Sequence, residues 1–201
     1  MITINIAIVW AIILTMGLLI ISIKKLKRFR FNIKSLTRIG IIAAISIVLY
    51  MIKIVPFPQG GGFSLLSVLP IMILSSIFGI KEGIICGIIV GALKSVIQPP
   101  FYPLQLPLDY FGGMIVIAFT PIFGTKTKSR LIFGATLAGT LSILFSVLSG
   151  VIFFGQFAPE EMNTWIYSIT YNLLGYGIEV LLSIIVLAII PLRHLSKTIK
   201  N

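Results

Sequence analysis

Long apolar runs separated by short polar or basic segments set the rhythm of this 201-residue chain. A helix needs roughly 20 apolar residues to cross the hydrocarbon core of a bilayer, and runs of that order recur from end to end. The pattern predicts seven spans: about Ile4–Ile23, Leu36–Val55, Phe63–Ile80, Gly83–Ile97, Leu108–Phe123, Leu131–Phe154 and Trp165–Leu192. The first is longer than the apolar stretch of about 7–15 residues in a signal peptide, and positive charge follows it rather than precedes it. No small-x-small cleavage pattern is evident, so it reads as an anchor. Spans three and four are short enough to be tilted or partly re-entrant.

The connecting segments alternate in charge. Basic residues follow span one (Lys24, Lys25, Lys27, Arg28, Arg30, Lys34, Arg38), span three (Lys81), span five (Lys126, Lys128, Arg130) and span seven (Arg193, His194, Lys197, Lys200). The loops after spans two, four and six are uncharged or acidic: Pro56–Gly62, Gln98–Pro107, and Gly155–Asn163 with Glu160 and Glu161. Cytoplasmic loops are the basic ones. One topology therefore satisfies every loop, with the N-terminus outside, the C-terminus cytoplasmic and the chain multi-pass in the membrane.

Composition agrees. The chain is 58% hydrophobic and 10% charged, with mean hydropathy +1.12, whereas a soluble domain carries about 25% charged residues. The net charge of +11 is spread over loops between spans rather than one soluble face, which argues against nucleic acid as a partner and for the lipid bilayer. The lone Cys86 lies in an apolar run and reads as a small buried hydrophobe. No metal-ligand cluster, catalytic triad or paired-carboxylate arrangement appears, so no cofactor is expected. Gly60-Gly61-Gly62 lacks the following Lys-Ser/Thr of a phosphate loop and reads as a flexible lid.

Ionisable groups within spans are costly and need a reason. Four stand within or at the edge of spans: Lys53, Lys94, Asp109 and Glu179. Lys53 and Lys94 are near outer ends and can snorkel; Lys94 can also pair with Asp109. Glu179 is about half-way down the last span, paired in the bundle or deep in a cavity. Asp109 opens span five beside Tyr110, either as a ligand-binding carboxylate or as a helix cap. The last span opens with Asn163, Trp165, Tyr167, Ser168, Tyr171 and Asn172. Interfacial anchoring explains Trp165; Asn172, about two turns in, must find partners. Tyr167 and Asn172 are about 140° apart around the axis and can flank one cavity. Phe153, Phe154 and Phe157 lie on the same outer side. Aromatic rings, a carboxylate and an amide together suit a flat, positively charged heteroaromatic ligand. Gly40 and Ala44, beside Ala43, form a small-xxx-small pair that admits close approach of a helix, from this chain or from a partner.

Several stretches resemble a known family: Leu36-Thr37-Arg38-Ile39-Gly40-Ile41-Ile42-Ala43-Ala44, Tyr102-Pro103-Leu104-Gln105 through Leu108-Asp109-Tyr110, Ser149-Gly150-Val151-Ile152-Phe153-Phe154-Gly155, and Ala158 through Tyr171-Asn172. They are similar to the substrate-binding membrane subunits (S components) of energy-coupling-factor vitamin transporters, thiamine-specific branch. The resemblance implies an all-α integral membrane protein: a six-helix S-component bundle over 35–201, preceded by one additional transmembrane helix and basic linker in 1–34. It implies high-affinity capture of a vitamin near the extracellular face, with no ATPase of its own. A transmembrane coupling subunit and two ATPase subunits are the implied partners. The implied ligand contacts are Asp109, Tyr110, Gln105, Ser146, Phe154, Trp165, Tyr167 and Asn172; Gly40, Ala43 and Ala44 would meet the coupling subunit. The chain departs from the family pattern in having Ser146 and Tyr102 where histidine is usual, Phe154 for an aromatic that is often tryptophan, and aspartate for glutamate at 109. A thiamine precursor or another heteroaromatic vitamin is the alternative ligand, and a non-transport membrane scaffold the alternative class.

Overall fold

The computed structural model describes residues 2–27, 29–192 and 195. Arg28 and the basic residues Arg193, His194, Lys197 and Lys200 lie outside the described residues. Seven helical rods are present among those described: α1 (Ile2–Leu26), α2 (Ile33–Met51), α3 (Leu69–Phe78), α4 (Ile80–Ile97), a π-helical turn Leu106–Gly112 running into α5 (Gly113–Ile117), α6 (Lys128–Phe153), and α7 (Thr164–Asn172), which continues through a π turn, Leu173–Gly177, into α8 (Ile178–Ile189). Four rods are long and apolar enough to cross a membrane: those starting at Asn5, Ile33, Lys128 and Thr164.

Local chemistry fixes several ends. Asn32 and Ser35 form a reciprocal cap at the start of α2: the Ser35 amide donates to Asn32 Oδ1 at 2.7 Å, and the Asn32 amide donates to Ser35 Oγ at 3.2 Å. Such a cap satisfies amides that otherwise have no partner in the first turn. Thr127 and Asn163 cap α6 and α7 one way only, their side chains accepting from the Arg130 and Trp165 amides.

Two expected spans are built differently. Span two stops at Met51 rather than Val55. Lys53–Pro56 forms β1, paired antiparallel with β2 (Gly62–Ser64) in register Val55↔Phe63 and Pro56↔Gly62. The all-helical expectation thus gains a hairpin, which the β-branched Ile54 and Val55 and the turn at Pro58–Gly60 favour. Span three is not one helix from Phe63 to Ile80. Its first part is β2 and an irregular stretch, leaving α3 as a helix of 10 residues, about 15 Å long at 1.5 Å per residue. Non-helical backbone at membrane depth is tolerated where protein covers and bonds it; Ser64, Ser67 and Val68 are all buried.

One core joins α2, α3, α4, α5 and α8 through residues such as Ile39, Met72, Ile84, Ile117 and Leu187. Cys86 sits in it, fully buried. A second cluster joins α1 to α6 and α5 through Ala7, Ala11, Leu108, Phe145 and Leu148. At one end, Arg38 of α2 grips Glu82 of α4, its Nη2 and Nε donating to the two carboxylate oxygens at 2.6 and 3.2 Å, and stacks over Phe78. Lys25, Lys81 and the turn Pro121–Thr125 gather at a shared cavity near that end of α3.

Candidate ligand-binding site

The polar residues of the remaining elements converge on one cavity of about 150 Å³. Four walls build it: the C-terminal ends of α2 and α4, the Leu106–Gly112 turn, α6, and the α7–α8 rod. The β1–β2 hairpin crosses its mouth.

Asp109 stands in the interior of the Leu106–Gly112 turn, so it is not a helix cap. Its Oδ2 accepts from Ser149 Oγ of α6 at 2.5 Å and from Gln105 Nε2 at 3.2 Å. Gln105 is itself oriented, its Oε1 accepting from the Tyr102 amide at 2.9 Å. A carboxylate held by two side chains keeps further acceptor capacity. Opposite, Glu179 of α8 is 2% exposed and accepts from the Ser64 and Ser67 amides at 3.0 and 2.8 Å and from Ser67 Oγ at 2.5 Å. Both expectations for Glu179 therefore hold together: it is bonded within the bundle, and it lines the cavity. The loop it grips includes Leu66 at φ +56°, a left-handed backbone that costs energy for a branched side chain and must be held by its surroundings.

Asn172 finds the partners its depth requires. Its amide nitrogen donates to Ser168 O at 2.9 Å and Ser146 O at 3.3 Å, while Ser168 Oγ donates to Val147 O at 2.7 Å. The side-chain oxygen of Asn172 accepts no hydrogen bond among the described residues. Gly150 faces this cluster, and any side chain there would run into Ser168. Tyr167 and Tyr171 stand one turn apart with ring centroids 5.9 Å apart. Phe101 meets Phe154 edge-on at 5.8 Å.

The hairpin is bonded down at several points. Tyr171 donates to Pro58 O, and its ring meets Phe57 edge-on. Gln98 Nε2 donates to Gly60 O at 3.0 Å, and Tyr50 donates to Gln98 Oε1. Gly62, at φ +115°, occupies backbone space closed to other residues. The Gly60–Gly62 segment is thus a structured cover, where sequence suggested a flexible lid.

Of the expected ligand contacts, Gln105, Asp109, Tyr110, Ser146, Phe154, Tyr167 and Asn172 all line the cavity. Trp165 does not. It is two residues from Tyr167, about 200° around the helix, and packs against the α1–α6 cluster instead. Phe153 stacks on Tyr102, 5.5 Å between centroids, and Asn163 is spent as a cap. Ala43 is buried in the core beside Ile39, on the packed side of α2, whereas Gly40 and Ala44 are exposed.

Sequence reasoning left out Tyr50, Lys53, Lys94, Gln98, Tyr171 and the Gln59–Gly62 turn as lining groups. Lys53 and Lys94 do not merely snorkel: their ammonium groups lie 4.0 and 4.5 Å from the centre of the Tyr50 ring. Nor does Lys94 pair with Asp109; among the described residues the ion pair is Arg38–Glu82. Lys53 lies in the hairpin, outside the helical spans. Burial, then the charge of Lys94, pushes its ammonium group down to about 8. The signal available in sequence was the shared outer-end position of the two lysines, which is equally that of an interfacial anchor.

The fold and cavity define a polytopic membrane protein that encloses a polar, aromatic-walled cavity. Residues 36–199 match the family model described as Thiamine transporter protein (Thia_YuaJ), and the chain belongs to that family. It is similar to thiamine transporter ThiT of Bacillus subtilis, 33% identical over 153 residues that cover 68% of this chain and 79% of that one. Thiamine transporter ThiT of Lacticaseibacillus paracasei is 28% identical over 97 residues, 46% of this chain and 47% of that one. A solved structure of ThiT from Listeria monocytogenes superposes with a TM-score of 0.68 at 22% identity, covering 82% of this chain and 93% of that one. Helix α1 precedes the residues matched by the family model.

Proposed function

We propose that the chain captures thiamine at the outer face of the membrane, as the substrate-binding subunit of an energy-coupling-factor transporter. Thiamine joins a permanently cationic thiazolium to an aminopyrimidine. Asp109 supplies a carboxylate for the positive or donor end of such a ligand, a charge-assisted contact. Asn172 supplies an acceptor, and Phe154, Tyr167 and Tyr171 supply ring faces. Lys53 and Lys94 repel a cation, so the thiazolium lies away from the Tyr50 end. The observation that carries this reading is a carboxylate with acceptor capacity to spare, facing an aromatic cavity under a hairpin cover, in a chain of the thiamine transporter family.

The rest of the proposal follows the charge pattern. The N-terminus is outside, the C-terminus cytoplasmic, and the cavity opens outward. The chain has no ATPase of its own, and two ATPase subunits act through a transmembrane coupling subunit. That subunit meets the exposed Gly40–Ala44 face of α2, where Leu36, Ile41, Ile45 and Val48 are also exposed and small residues permit close approach.

Calorimetric titration of the purified chain with thiamine, without ATP, tests the ligand. Tight one-to-one binding is expected. No binding of thiamine or of its separate pyrimidine and thiazole halves would overturn the reading. Tighter binding of the pyrimidine alone would favour a precursor as substrate, a reading that Ser146 supports by placing a small hydroxyl where the family has a ring.

A further inference from the structure

Helix α1 lies on the back of the Asp109 wall. Its Ala7 and Ala11 are buried, with Leu14 and Leu18 partly so, along one stripe at spacings of three and four residues. Its other faces are bare: Val9, Trp10, Ile13, Met16 and Ile20 are exposed. The residues that share a cluster with this stripe are adjacent in sequence to the polar residues of the site. Leu108 precedes Asp109, Phe145 precedes Ser146, and Leu148 precedes Ser149. In each pair the apolar member is in the α1 cluster. Its polar neighbour lines the cavity or, for Ser149, bonds the Asp109 carboxylate at 2.5 Å.

We propose that α1 is the positioning element of the Asp109 site. It clamps the Leu106–Gly112 turn and α6 from behind, and so sets where Asp109, Ser146 and Ser149 stand. The Leu106–Gly112 π turn leads into α5 with no α-helix before it to hold its start, so its placement depends on what packs against it. Lipid offers no fixed surface there, whereas small residues at positions 7 and 11 let α1 approach closely. The Glu179 wall does not rely on α1, because the Ser64 and Ser67 amides and α8 hold it.

The test uses the full chain. Ala7→Leu and Ala11→Leu should each raise the Kd for thiamine at least tenfold. Each should also speed hydrogen exchange of the 106–112 amides, with the Ser64 and Ser67 amides unchanged. Ala11→Ser, which keeps the size, should behave as wild type, as should Ile13→Phe on the exposed face. If a leucine variant fails to fold, Ala11→Val replaces it with the same expectations. Unchanged affinity and unchanged 106–112 exchange in the folded leucine variants would overturn the proposal, as would an equal effect from Ile13→Phe. The affinity arm rests on the thiamine reading and the exchange arm does not. A wild-type chain that ignores thiamine sinks that reading and leaves exchange to decide the role of α1.

Discussion

Two walls of the same cavity carry a carboxylate, and they use it differently. Glu179 spends its oxygens on the protein: two backbone amides and a hydroxyl hold the irregular stretch between β2 and α3. Asp109 is held by side chains, those of Ser149 and Gln105, and by no backbone amide among the described residues. One acid replaces the hydrogen bonds a half-length helix lacks inside a membrane. The other is oriented but not consumed. Proximity to a cavity therefore does not make a carboxylate a ligand group; what its oxygens already hold does.

Substitutions can break this contrast. The largest effect belongs to Glu179→Ala, which leaves two buried amides unpaired at about 1–3 kcal/mol each. Thermal unfolding should register a loss of about 2–6 kcal/mol, and Glu179→Gln, which keeps an acceptor, should lose less. Next comes Asp109→Asn. It should leave the melting temperature near wild type and weaken thiamine binding by about 1.5–3 kcal/mol in calorimetry. A matching loss of stability in Asp109→Asn would erase the distinction between the walls.

Tyr171→Phe removes one bond to the hairpin, worth about 1 kcal/mol. Its expected signature is faster ligand release in stopped-flow fluorescence with little change in melting. The smallest effect is one of pH. Lys53 loses its proton at about 8, so a cationic ligand should bind more tightly as pH rises through that value, and Lys53→Met should flatten the rise. Stability moves the same way: between about 8 and the ordinary lysine range the unfolded chain holds the proton and the folded chain does not, so stability rises with pH there.

The long rods were legible because length, apolarity and alternating loop charge all report on the bilayer. Of the seven expected ligand residues that line the cavity, Asp109, Phe154, Tyr167 and Asn172 were legible from that alternation and from their chemistry, whereas Gln105, Tyr110 and Ser146 came with the family resemblance. The hairpin was not legible. Lys53-Ile54-Val55 continues an apolar run, and only the pairing with Gly62–Ser64 separates strand from helix. Glu179 was ambiguous because its partners are backbone amides more than 110 residues earlier in the chain. Trp165 was drawn into the site by its neighbours, although half a helical turn directs it elsewhere. Ala43 was grouped with Gly40 and Ala44, although one residue's step, about 100°, separates a packed face from an open one.

The π turn Leu173–Gly177 ends α7 and begins α8, and it amounts to one extra residue threaded into a helix. One residue is about 100° of rotation. Everything after the turn is thereby dialled relative to everything before it. That insertion lets Tyr171 and Asn172 above, and Glu179 below, address the same cavity from a single rod. Deleting one residue within 173–177 would act as a frameshift in space: composition and hydropathy would barely change, yet Glu179 would swing away from Ser64 and Ser67 toward another side of the rod.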